Sequence, residues 1–316
     1  MKKVLFGTTA LVAAGMFGTA AQAAEPIKLS VGGQMHQYVY IADIEEDTYS
    51  TYNNVGTESD TEVHFKGATT LDNGLKIAVT IELEAERNVN GAARNADQQY
   101  VTLSGGWGQV RVGEMFNAAT VVHNSAPGAG VGFSDVDAFL GDGLATTGLT
   151  NSYTTVDGIY DAGRSSNAID YISPMFGPFA FGVTYTPNVT SRGLASEQTS
   201  VKDLLGGALV YADKWGPVGV NADIAYARFD SEGANAALGQ GMVQGMPIGL
   251  KFSYAGFEVG GSYIRIWDNL KTDAVASVTS MDGHGWDAGI AYTTGPWKFG
   301  YQYFSSSMEG SLNAKG

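Results

Sequence analysis

Cysteine is absent from all 316 residues. A chain without it has neither a disulfide framework nor a thiolate metal centre, so stability must come from a large core or a closed sheet. Long apolar runs are also missing. Beyond the N-terminal stretch nothing approaches the roughly 18 uncharged residues of a helical membrane candidate, and the mean hydropathy is close to zero. A helical membrane protein is therefore excluded. Positive charge is scarce, with 18 Lys and Arg against 32 Asp and Glu. Nucleic acid and anionic lipid surfaces recruit clustered Lys and Arg, so neither is expected to hold the chain by charge. His36, His64, His123 and His284 are the only histidines, with no H-E-x-x-H, and no G-x-S-x-G elbow occurs. An enzyme is not expected.

Met1–Ala23 reads as an export signal. Lys2 and Lys3 open it, Val4 to about Ala14 is apolar, and Ala21-Gln22-Ala23 is the small-residue cleavage pattern. The apolar part falls short of the roughly 20 residues of a span. The remainder, 24–316, is expected to be one domain with a net charge of about −16, since cleavage removes two lysines.

Ile27–Ile41 alternates strictly, with Ile27, Leu29, Val31, Met35 and Val39 on one face and Lys28, Ser30, Gln34, His36 and Tyr38 on the other. Thr61–Leu71 and Leu75–Glu86 repeat the pattern around Asp72-Asn73-Gly74, a strong hairpin signal. Their apolar face holds Val63, Phe65, Ile77, Val79, Ile81 and Leu83; their polar face holds Glu62, His64, Lys66, Lys76, Glu82, Glu84 and Glu86. Five more hairpins follow, turning at 105–108, 174–178, 213–217, 255–256 and 293–296, which makes about thirteen strands. Short turns alternate throughout with long polar loops, and strands of this length suit a tilted membrane strand. Aromatic residues, among them Tyr171, Phe176, Trp215, Tyr254, Phe257, Tyr292 and Trp297, gather near strand ends and short turns. Such rings form the girdles of membrane barrels. The class is all-β, a transmembrane antiparallel β-barrel whose polar face lines a lumen, because lipid leaves no sheet edge hydrogen-bonded.

One segment breaks the rhythm. Phe116–Arg164 is about fifty residues of polar, Gly-rich sequence, long enough to be functional rather than a plain connection. Its Val121, Val122, Phe133, Phe139, Leu140, Leu144, Leu149 and Ile159 argue against disorder. Its charge is acidic: Asp135, Asp137, Asp142, Asp157 and Asp161 against Arg164.

The signal running into AQAAEPIKLSVGGQMHQY, the hairpin YVTLSGGWGQVRVGE that opens into the long segment, and its exit NAIDYISPMFGPFAFGVTY carry a resemblance. On these stretches the chain resembles the α-proteobacterial general-diffusion porins of Gram-negative bacteria. The resemblance implies a 16-stranded, water-filled barrel, a homotrimer set among outer-membrane lipid and lipopolysaccharide. It implies that the third long loop, here 116–164, folds inward as a constriction.

Glu114, Asp135, Asp137, Asp142, Asp157 and Asp161 are then expected on the acidic side of that constriction, with Lys28, Lys66, Lys76 and Arg111 as the basic wall. Glu62, Glu82 and Glu84 would add acidic lumen charge. Family members often carry a basic residue at the position of Glu114, so the departure favours cations. The expected function is passive diffusion of ions and small hydrophilic solutes with a cation preference. The alternatives are a substrate-specific channel and a non-transporting structural or adhesive barrel.

No cofactor is expected, although calcium on Asp135, Asp137 and Asp142 is a minor candidate. His36 and His64 could meet Glu62 across the first strands; polar lumen lining accounts for them equally well, and no metal site is assigned. Because the family's barrels are even-stranded and end in a strand, three further strands are expected beyond a tail, 311–316, that reads as an extracellular loop.

Overall fold

A computed structural model describes residues 27–41, 55–85, 96–128, 166–189, 194, 201–231, 241–268, 282–308 and 314–315. The signal segment 1–23, Glu86, and Asp135, Asp137, Asp142, Asp157 and Asp161 lie outside the described residues.

Alternation in the sequence becomes one antiparallel sheet in chain order. Its strands are β1 (Lys28–Ile41), β2 (Val55–Thr70), β3 (Lys76–Glu84), β4 (Gln98–Gly105), β5 (Gly108–Glu114), β6 (Asn167–Ile172) and β7 (Phe179–Asn188). They continue as β8 (Val201–Trp215), β9 (Val218–Ser231), β10 (Gly241–Tyr254), β11 (Phe257–Asp268), β12 (Gly283–Thr294), β13 (Trp297–Met308) and β14 (Ala314–Lys315). A single short helix, α1 (Ala118–Val122), follows β5 among the described residues.

The expected hairpins are all present, and their turns carry the expected chemistry. Ala255 and Gly256 take φ of 49° and 87°. Two left-handed residues in a two-residue turn match the right-handed twist of the flanking strands. Strand lengths and number differ from expectation. β2 begins at Val55, inside a stretch expected to be loop, and β8 and β10 also start earlier than their apolar alternation does. Apolar alternation reports the band that leaves water, whereas the hydrogen-bond ladder continues past it through polar residues. Ala314–Lys315, expected as loop, pairs with Ser305–Ser306 and gives a fourteenth strand.

Following the register across the sheet separates two faces. One row runs Lys28, Ala68, Ala78, Thr102, Arg111, Asp170, Thr184, Gly206 and Ala227. This inner face carries α1 and the residues after it. The opposite, outer face holds exposed Val79, Val101, Val112, Ile169, Val183, Leu209, Ile224, Leu250 and Ile290. An apolar face this continuous would be an aggregation surface in water and is the lipid-facing surface of a membrane barrel.

Aromatic side chains border the outer face at both ends. Near the short turns Trp107 stacks on Tyr171, Phe176 on Phe181, and Tyr211 meets both Phe179 and Trp215. Toward the long loops Tyr226 approaches Trp267, and Trp286 approaches Tyr303.

The inner face is not polar throughout, which corrects the sequence-based expectation. Val201, Leu204, Ala208, Ala225, Ala227, Phe229, Val243, Ile264 and Ile266 form a buried apolar cluster there with Ala119 of α1, and Val122 packs against it. Something covers the inner wall of β8–β11, so those positions are apolar although they face away from lipid.

Candidate functional site

The covering element is the segment 115–128, which leaves β5 and crosses the inner face as a strap. Its first step is local chemistry. Asn117 caps α1, its Oδ1 accepting from the N–H groups of Ala119 and Thr120 at 3.0 Å each. This satisfies donors that a helix start leaves without intrahelical partners. The Ala118 N–H donates to Thr184 Oγ1 on β7 at 2.7 Å.

Three wall carboxylates then hold the strap and its root. On β6, Asp170 pairs with Arg111 of β5, and the Arg111 guanidinium also donates to the Phe116 carbonyl at 3.1 Å. On β9, Asp223 accepts from the Asn124 N–H at 2.7 Å and from Asn124 Nδ2 at 2.9 Å, and meets His123 Nδ1 at 2.8 Å. On β12, Asp287 accepts from the Ala126 N–H at 3.0 Å and from the Ser262 N–H at 2.6 Å. Gln302 of β13 closes the series by donating to the Ala126 carbonyl at 2.7 Å. The strap thus spans the wall from β5 to β13 with main-chain groups of Phe116, Ala118, Asn124 and Ala126 bonded to wall side chains, as buried main chain requires.

Small residues make the approach possible. A Cβ added at Gly249 would lie 2.2 Å from the Asn124 carbonyl oxygen and 2.6 Å from Asp223 Oδ1. One at Gly182 would lie 2.7 Å from the Ala118 Cβ, and one at Gly289 would lie 2.8 Å from the Pro127 carbonyl oxygen. Glycine in these strands marks close passage of another backbone.

The wall of β1–β4 is a separate polar field on the same face. Glu62 stands opposite Glu84, His64 opposite Glu82, and Lys66 opposite Thr80. His64 Nε2 meets Glu62 Oε2 at 2.5 Å, Lys66 Nζ lies 3.6 Å from Glu82 Oε1, and Gln98 Nε2 donates to Glu82 Oε2 at 2.6 Å.

The residues expected to form two opposed charged walls are therefore distributed differently. Lys28, Lys66, Lys76 and Arg111 share the inner face of β1–β5 with Glu62, Glu82 and Glu84. Arg111 is buried against Asp170 beneath the strap root. Glu114 pairs in register with Gln99, in the row of Val110 and Val112 rather than that of Arg111, and its carboxylate accepts from Gln99 Nε2 at 2.7 Å. The loop aspartates lie outside the described residues.

Sequence reasoning missed two groups. Asp170, Asp223 and Asp287 hold the strap and its root. Lys214, Lys251 and Lys298 lie on the inner face toward the short turns of β8–β13, with Lys298 Nζ 2.9 Å from Glu258 Oε2. A partial signal for the first group was present: Asp287 interrupts a row with Gly285 and Gly289 on either side, and Asp223 precedes the small and apolar Ala225, Ala227 and Phe229 in its row.

A family model described as Gram-negative porin matches residues 7–315. Among solved structures, an anion-selective porin from Comamonas acidovorans is similar at 15% identity with a TM-score of 0.59, covering 92% of this chain and 81% of that one. A mutant of the Rh. blastica porin is similar at 12% identity with a TM-score of 0.43, covering 91% of this chain and 97% of that one. No curated protein sequence matches.

Proposed function

The chain belongs to the Gram-negative porin family, outer-membrane channels built as β-barrels, and from that premise we propose that it is a general-diffusion pore narrowed by the strap and favouring cations. The observation that carries the reading is the strap itself. A segment anchored by Asp223 and Asp287 across the inner face of β6–β13 reduces the open cross-section without closing it by chemistry.

Transport then needs no covalent step. Small hydrophilic solutes diffuse down their gradients, width excludes large ones, and charge along the lumen biases which ions pass. Cation preference is assigned to the Glu62, Glu82 and Glu84 wall together with Asp135, Asp137, Asp142, Asp157 and Asp161 of the long loop. The Comamonas acidovorans porin is anion-selective by name. Lys214, Lys251 and Lys298 supply the corresponding second reading here, an anion preference set near the short turns. We further assign residues 1–23 to a cleaved signal, and the working assembly to a homotrimer among outer-membrane lipid and lipopolysaccharide.

Liposome swelling with sugars of increasing size tests the pore. A smooth decline of rate with size supports general diffusion. A sharp preference for one sugar would replace it with a substrate-specific channel, and no swelling from folded, inserted protein would replace it with a structural or adhesive barrel.

A further inference from the structure

Among the described residues outside the strap, one cluster combines a nitrogen donor with carboxylates at ligating distance. Glu62 and His64 stand two residues apart on β2, so both point to the inner face, and the register sets Glu84 and Glu82 directly across from them on β3. Directly opposed side chains on a sheet have Cβ atoms about 4.5–5.5 Å apart. Glu62, His64 and Glu82 accordingly bring one ligand atom each to within 4.8 Å of one another. A second set, Glu62, Glu84 and Asp97, does the same and shares Glu62 with the first. Asp97 is brought there by backbone, its N–H donating to the Glu82 carbonyl at 2.8 Å.

The imidazole sets this apart from a merely acidic surface. His64 lies between the two carboxylates, with Nε2 2.5 Å from Glu62 Oε2 and Nδ1 3.9 Å from Glu82 Oε1. Glu82 is itself oriented: the Gln98 amide holds Oε2 at 2.6 Å, while Oε1 is the oxygen nearer His64 and Lys66. Ligating carboxylates are commonly held by an outer hydrogen-bond partner, the place Gln98 takes here. The side chains are 18%, 12% and 11% exposed for His64, Glu62 and Glu82, half-sheltered yet open to the inner face.

We propose that Glu62, His64 and Glu82 form a binding site for a divalent first-row transition ion, with zinc as its probe. The donor set selects the class. Calcium takes six to eight oxygens and magnesium keeps its waters, whereas an imidazole with carboxylates suits zinc, at about 2.0–2.2 Å from each ligand atom. Ligand atoms around a tetrahedral ion with bonds of this length are about 3.3–3.6 Å apart. The three ligand atoms, all within 4.8 Å of one another, are therefore brought around the ion by side-chain adjustment. His36, the other candidate histidine, pairs with Asp60 further along β1 and is not in the group.

Equilibrium dialysis of zinc against the folded, full-length protein in detergent reads the site without relying on channel function. The expected result is one tightly held zinc per chain, lost in His64→Gln and in Glu82→Gln, and weakened about tenfold in Gln98→Ala, which removes only the outer support. In planar bilayers, micromolar zinc should reduce the wild-type current reversibly, with EDTA restoring it and equal magnesium or calcium leaving it unchanged. His64→Gln should conduct normally and ignore zinc. Absence of bound zinc, or binding that survives both ligand substitutions, overturns the site. Binding lost as expected in a protein that carries no current would keep the site and remove the pore.

Discussion

Asp223→Ala should release the middle of the strap. The carboxylate takes two hydrogen bonds from Asn124 and one contact from His123, at 2.7–2.9 Å, and is buried. A hydrogen bond to a charged group contributes about 1.5–3 kcal/mol, but bonds sharing one carboxylate do not add. Taken as loss of docking alone, about 1.5–3 kcal/mol lowers the ratio of docked to released strap by on the order of 10–10². Release stays local, because Asp287, Gln302 and Thr184 still hold the flanks.

The lack of native cysteine supplies the assay. Ser125→Cys is nearly isosteric, sits on the half-buried strap between the two anchors, and can be labelled with an impermeant maleimide. Adding Asp223→Ala should speed labelling at least tenfold and increase open-channel current noise. Asp223→Asn keeps an oxygen for the Asn124 N–H and should fall between. Unchanged labelling and unchanged noise in Asp223→Ala would refute the anchoring argument.

Gly249→Ala should reproduce this phenotype from the other side, because its Cβ collides with the Asn124 carbonyl, whereas Gly207→Ala, with only ordinary contacts of 3.7–3.8 Å, should leave noise unchanged. Joint substitution of Asp135, Asp137 and Asp142 by Asn should lower the cation preference of the zero-current potential; an unaltered potential would remove those three from the constriction. Glu62→Gln with Glu84→Gln should move it in the same direction, by local loss of lumen charge, and a shift toward cations would contradict the assignment of that wall.

How far these features could be read in the chain varies with the physics behind each. The hairpins were legible because a short turn between twisted strands demands particular residues, as at Asp72-Asn73-Gly74 and Ala255-Gly256. Strand ends were less so: the polar residues from Val55 to Asp60 pair with β1 without any alternation to announce it. Lys28, Lys66, Lys76, Arg111, Glu62, Glu82 and Glu84 fell on the inner face as their spacing required and Glu114 did not, and the partners of all of them were illegible. Arg111 is answered by Asp170, 59 residues later, and Asn124 by Asp223, 99 residues later. Such pairings are set by how the sheet brings remote strands under the strap. The apolar cluster of β8–β11 was misread for the same reason, since periodicity distinguishes faces but not what covers them.

Planar-bilayer recording of the purified full-length protein under a KCl gradient tests the central claim most directly. Stepwise current increments with a cation-selective zero-current potential are the predicted result. Steps of anion-selective sign would keep the pore but transfer its filter to Lys214, Lys251 and Lys298, and the absence of steps from folded, inserted protein would contradict the account.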